Sequence, residues 1–170
     1  MLPSHSQHSD TFPTMLIKHL RRGCFVTRLK IMIYYSLIII AKHRDIENFH
    51  QYFFNLPPDN DYIKWTVGKA MYMADGTALK QKQALDENGF YSDIISSSAV
   101  CTIICDSIQF DEHTRKFNYY GTQIIKRRTR DLRRSMLTTG TVENVPRTQN
   151  NPHGLMITNW RTLENKDLDY

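Results

Sequence analysis

The chain has 170 residues, 41% of them hydrophobic and 23% charged, which suits one domain with a buried core and excludes disorder throughout. Its formal charge is +5, and the distribution of that charge matters more than the total. Residues 1–41 hold Lys18, Arg21, Arg22, Arg28 and Lys30 against Asp10 alone, so the rest is nearly neutral and is not a generally basic, polyanion-binding body.

In chain order, the first strong feature is the apolar run from Ile31 to Ala41, with Arg28 and Lys30 before it and Lys42, His43 and Arg44 after. A helix needs about 20 apolar residues to cross a bilayer, so this run is too short to span. The roughly thirty residues before it, and the lack of a convincing small-residue cleavage site after it, argue against a secretory signal. A buried strand or helix segment is expected here, with contact at a membrane surface as the alternative. Cys24, Cys101 and Cys105 form no zinc-ligand spacing. In an extended segment the last two would stand roughly 13 Å apart, too far to bridge.

From His43 to Leu56, Ile46, Phe49, His50 and Phe53 recur at helical spacing, and Pro57-Pro58 ends that helix. Asp59-Asn60-Asp61 can cap a second helix with an apolar stripe of Ile63, Val67, Ala70, Met71 and Ala74. Thr77 is expected to cap a third, closed by Asn88-Gly89 in a left-handed turn, and a short fourth runs from Tyr91 to Ile95. Tyr52 and Trp65 fall off these stripes, so they either join the core or serve as surface anchors for another protein.

After Ser96-Ser97-Ser98 the texture becomes that of strands: Val100 to Phe110, Phe117 to Lys126, Met136 to Val145, and Leu155 to Leu163. Simple alternation places Trp160 opposite Ile157 and Leu163. Helices first and strands afterward predict an α+β fold, with N-terminal helices packed on a curved four-stranded antiparallel sheet.

The second and third strands are joined through Lys126, Arg127, Arg128, Arg130, Arg133 and Arg134, with only Asp131 opposed. Positive charge on both faces of a strand cannot sit in a sheet interior, so this cluster is expected at an exposed hairpin tip. It is a candidate contact for anions, but without base-stacking partners nearby, direct nucleic-acid binding is not expected. No phosphate cradle, zinc-binding His pair, nucleophile elbow or Cys/His arrangement is present, so no catalytic residue, metal or cofactor is assigned. His50, on an apolar face, is expected to be a satisfied core histidine. The alternative class is a small-ligand-binding or enzymatic cone, for which Asp106, the one charge on an apolar strand face, would have to line a deep pocket with a histidine.

The last strand is entered through Asn151-Pro152-His153-Gly154. Proline fixes one φ, and glycine permits the positive φ of a tight reversal. This motif resembles the Asn-Pro-x-Gly turn of type IV secretion inner-membrane assembly factors of the VirB-eight type. Together with Phe49 to Asp59, Gly89 to Ser96, Asn150 to Trp160 and Glu164 to Leu168, it also resembles the conjugative transposon TraK proteins of Bacteroidales over residues 42–170.

The resemblance implies a nuclear-transport-factor-two-like cone and a non-enzymatic assembly subunit of a conjugative DNA-transfer apparatus. Its partners would be other channel proteins, with a homodimer left open and no small-molecule substrate. Asn151, Pro152 and Gly154 would be partner-contact residues: asparagine bonding the turn, proline stiffening it, glycine letting the backbone approach a neighbour. A bulky residue at Gly154 would then impair transfer but spare the fold. The family sits in the inner membrane with a periplasmic domain. Residues 1–41 do not match it and carry no recognisable transmembrane helix, as expected of a divergent leader or a displaced start.

Overall fold

A computed structural model describes the backbone of residues 12–168 and the side chains from Val26 onward, so residues 1–11 of the expected leader and the side chain of Cys24 lie outside the described residues. Four helices precede four strands: α1 (Phe12–Phe54), α2 (Asn60–Tyr72), α3 (Gly76–Glu87), α4 (Phe90–Ser96), β1 (Val100–Asp111), β2 (Lys116–Lys126), β3 (Leu132–Asn144) and β4 (Leu155–Asp167). The sheet has the order β1-β2-β3-β4 with every pair antiparallel, which is the expected meander.

The chain divides into two units, Met1–Ile40 and Ala41–Tyr170. In the first, the apolar run is not a separate buried segment. It is the middle of α1, which continues into the expected first helix because no proline or glycine interrupts residues 24–56. Its side chains are outside any core: Met32 is 66% exposed and Tyr34 64%. No helix among the described residues is long and apolar enough to cross a membrane.

In the second unit, α1 lays Ile46, Phe49 and Phe53 against the sheet. Trp160 lies at the centre of this packing, its ring 4.9 Å from Phe49 and 4.8 Å from Phe53, both edge-on. Its burial corrects the alternation expected for β4. Asn159 adopts φ +54 and the β3–β4 register shifts there, so one extra residue changes the parity of the strand. Ile157 and Trp160 therefore share the core side, and Leu163 is exposed.

His50 is fully buried, and its ring stacks on Tyr119 at 3.7 Å. Nδ1 lies 2.7 Å from the Ile46 carbonyl and Nε2 2.6 Å from the Thr138 hydroxyl. A carbonyl can only accept, so Nδ1 carries the proton and Nε2 accepts from Thr138. Burial pushes its pKa down to about 3.

The cap of α3 also differs from expectation. Asp75, not Thr77, is the N-cap; its carboxylate accepts the Thr77 amide at 2.9 Å and the Thr77 hydroxyl as well. The cap of α2 is Asp59, accepting from the Tyr62 amide at 2.8 Å. Gly89 takes φ +73 at the end of α3, the left-handed turn expected there.

The α2–α3 junction does more than end two helices, because it covers an edge of the sheet. The Ile157 amide donates to the Met73 carbonyl at 2.8 Å, and the Asp75 amide to the Ile157 carbonyl at 2.9 Å. The other Asp75 oxygen accepts the Asn159 amide at 3.1 Å, and the Thr77 hydroxyl accepts the Trp160 amide at 2.9 Å. Burial disfavours the charged form of Asp75, but these bonds outweigh it and hold its carboxyl below the usual range.

Two outcomes test this core. Trp160→Ala should cost about 3–5 kcal/mol, read from urea unfolding. For His50, the folded state disfavours a proton that the unfolded chain accepts near pH 6.5. Its contribution to stability is therefore full above that pH and is lost as pH falls from about 6.5 toward 3. Nitrogen NMR of the ring should show a neutral, Nδ1-protonated His50 at pH 5.

Candidate docking site at the Asn-Pro-x-Gly turn

The turn is built by hydrogen bonds from its own polar residues. The Asn151 amide donates to the Thr148 hydroxyl at 3.0 Å. The Asn151 side-chain oxygen accepts the Gly154 amide at 3.2 Å, while its nitrogen donates to the Leu155 carbonyl at 2.8 Å and, weakly, to the Tyr72 carbonyl at 3.4 Å. The last bond ties the turn to the end of α2.

Gly154 has φ +67, and a Cβ there would come within 2.6 Å of the Val145 carbonyl oxygen. Close approach is thus needed inside the turn, and a valine at this position would disturb the turn itself. That corrects the expectation that a bulky residue would spare the fold. Asn151 and Gly154 are buried, whereas Pro152 and His153 form the exposed crest. What the turn can offer a neighbour is the crest, held in shape by the two residues beneath it.

One contact was not anticipated. His153 Nδ1 lies 2.5 Å from Asp45 Oδ1, joining the crest to α1 across 108 positions of sequence. Asp45 is only 4% exposed, and burial raises its pKa, with His153 and Arg44 partly offsetting the effect. A signal existed: Asp45 stands one turn before Phe49 on the same helical face, an acid where the stripe calls for an apolar residue.

Beside the crest lies a groove of about 570 Å³, walled by the second unit's part of α1, by α2 and by residues 149–153. Tyr52, Trp65 and Tyr72 supply its aromatic surface and Lys64 and Lys69 its charge. Trp65 is 53% exposed, and Lys69 Nζ stands 3.9 Å from its ring centre and 5.5 Å from that of Tyr52. The two aromatic residues that fell off the helical stripes therefore meet at one site.

The other candidate residues are placed elsewhere. Arg127, Arg128 and Arg130 are exposed in the β2–β3 tip and Lys126 at the end of β2. Arg133 and Arg134 are not tip residues but lie at the paired start of β3, Arg133 exposed and Arg134 paired with Asp167 at 2.6 Å. This tip and the turn stand at opposite ends of β3, roughly 40 Å of strand apart. Asp106 is exposed on the sheet and bonded to Thr122 at 2.9 Å, while His50 is sealed in the core. The structure does not bring together the pair that a ligand-binding cone would need. Among the described residues, no group of His, Cys, Asp and Glu could hold a metal.

No family model matches the sequence, and no curated protein matches it significantly. Solved structures do match. The soluble domain of TrwG from the type IV secretion machinery of Bartonella grahamii superposes with a TM-score of 0.62 at 15% identity, covering 77% of this chain and 97% of that one. The Agrobacterium tumefaciens VirB8 protein gives 0.61 at 10% identity, covering 75% and 92%. An IcmL-like type IV secretion protein from Legionella pneumophila gives 0.55 at 6% identity, covering 79% and 94%. The chain has the fold of these secretion-system domains. At such identities the likeness establishes architecture: the α+β class expected from the order of elements, and the cone that the resemblance implied.

Asn151→Ala should lower stability by about 1–3 kcal/mol, because the Leu155 carbonyl beneath the crest loses the side-chain amide that donates to it, while the Gly154 amide keeps only its bond to the main-chain carbonyl of residue 151. Replacing exposed Pro152 by alanine should change stability by less than about 1 kcal/mol. Chemical denaturation of both variants checks the contrast, which separates the buried support from the exposed crest.

Proposed function

We propose that this chain is a non-enzymatic assembly subunit of a conjugative type IV secretion apparatus of the TraK kind, working in the cell envelope through contacts with other channel proteins. The observation that carries this reading is the Asn-Pro-x-Gly turn: its ends are bonded into the body and its crest stands beside an aromatic groove, on a fold shared with secretion-machinery domains. A crest pre-shaped by buried hydrogen bonds loses little entropy on docking, so binding energy is not spent on ordering it. Exposed aromatic side chains beside it supply the kind of surface that dominates protein interfaces.

The envelope location is supported by the exposed apolar part of α1. Ile31 to Ile40, with Arg28 and Lys30 before it and Lys42, His43 and Arg44 after, has the composition that settles at an anionic lipid surface. No nucleic-acid or small-molecule role is assigned. The β2–β3 tip is read as a solvated end of the sheet, and Asn151, Pro152 and Gly154 as the partner-contact element.

Fractionation of cells expressing the chain, followed by pull-down, tests the proposal. The protein should sediment with membranes and recover other type IV channel components. Pro152→Asp, at an exposed position, should shift the melting temperature by no more than about 2 °C while reducing that recovery severalfold. Recovery of no channel component by the unmodified protein would overturn the reading.

A further inference from the structure

We propose that the groove beside the turn receives a short acidic segment of a different protein, anchored by an apolar or aromatic side chain. The inference rests on the docking reading above and specifies the chemistry of the partner.

The charge of the groove is the first reason. Asp45 is the only acid lining it among the described residues, and that carboxylate is buried and held by His153. Lys64 and Lys69 make no carboxylate ion pair among the described residues, whereas Lys42, Lys82 and Lys166 do. Two cations thus line one concave surface without an ion-pair partner among the described residues, and a carboxylate entering it meets both.

The walls give the second. Trp65 and Tyr72 are more than half exposed, at 53% and 55%, and Lys69 lies over the Trp65 face. That geometry holds the ammonium beside an aromatic platform, so one ligand can meet charge and ring at the same point. An acidic residue next to an apolar one is the complement.

Gly68 gives the third. It lies within α2 on the groove, and a Cβ built there would meet nothing within 4 Å. Glycine is the poorest helix former after proline, and here it has no close contact that demands it; what it leaves is open floor. The volume of about 570 Å³ holds a few side chains. Nucleic acid, in contrast, is bound along a track of many phosphate contacts, and two lysines do not make one.

The test uses the full chain labelled with nitrogen-15. It is titrated with a blocked peptide of glutamate and leucine, the corresponding lysine and leucine peptide, and an oligothymidylate. The acidic peptide should shift the Trp65 indole signal, weaken at least about tenfold in the Lys64→Glu, Lys69→Glu double variant, and lose binding in Gly68→Gln. The last variant should melt higher than the parent, which separates a filled groove from a damaged fold. An equal response to the basic peptide, a preference for the oligothymidylate, a shift driven by protein concentration alone, or unchanged binding in Gly68→Gln would each overturn the proposal. If Gly68→Gln still recovers channel proteins as the parent does, the groove proposal fails and the assembly reading stands. If the parent recovers none, the assembly reading fails and the peptide titration still decides the groove.

Discussion

β4 is held along both of its edges, and the placing of the turn and the groove follows from that. On one side it pairs with β3; on the other, Met73, Asp75 and Thr77 take up the amides and carbonyl of Ile157, Asn159 and Trp160. Exposed strand edges invite unwanted pairing, and a helix junction laid along this one removes that hazard over the first half of the strand. The same bonds set α2 directly beside the turn that leads into β4. Groove and crest are neighbours because one strand end is shared between a sheet and a pair of helices.

The bulge at Asn159 completes this arrangement. By adding a residue it turns Trp160 inward, where the ring meets Phe49 and Phe53 of α1. Without that change of parity a tryptophan would stand in solvent and α1 would lack its central contact. The neutral His50, bonded at both nitrogens and stacked on Tyr119, is fully buried in this packing. The buried side of the sheet is packed by α1, while on the outside polar residues shape a turn and aromatic residues line the adjoining groove.

Much of this could be read without coordinates. Periodicities of helix and strand, the proline stop at Pro57-Pro58, the glycine turn after α3 and the charged β2–β3 tip were all legible, because each is a local rule acting on a few adjacent residues. His50 was recognisable as a core residue for the same reason. Cap identity and strand parity were less so. Asp75 and Thr77 are both good caps, and the choice between them is made by β4, whose amides occupy both side chains. The bulge depends on a non-glycine residue taking positive φ, which no alternation pattern shows. The apolar run 31–41 was misjudged because hydrophobicity signals a preference for burial, whereas a partner to bury against is a property of the surroundings.

By itself the sequence determined the order of elements, the fold class, and the presence of a stiff turn ahead of the final strand, since proline, asparagine and glycine restrict their own backbones wherever they occur. Only the tertiary structure decided that Asn151 and Gly154 face inward while Pro152 and His153 face outward, that His153 meets Asp45, and that Tyr52, Trp65 and Lys69 converge on one groove. Those facts depend on contacts between distant parts of the chain, Asp45 with His153 and α2 with residues 149–153. They arise from how helices settle on a twisted sheet, where the free energy of burial is summed over the whole core and no single segment encodes the result.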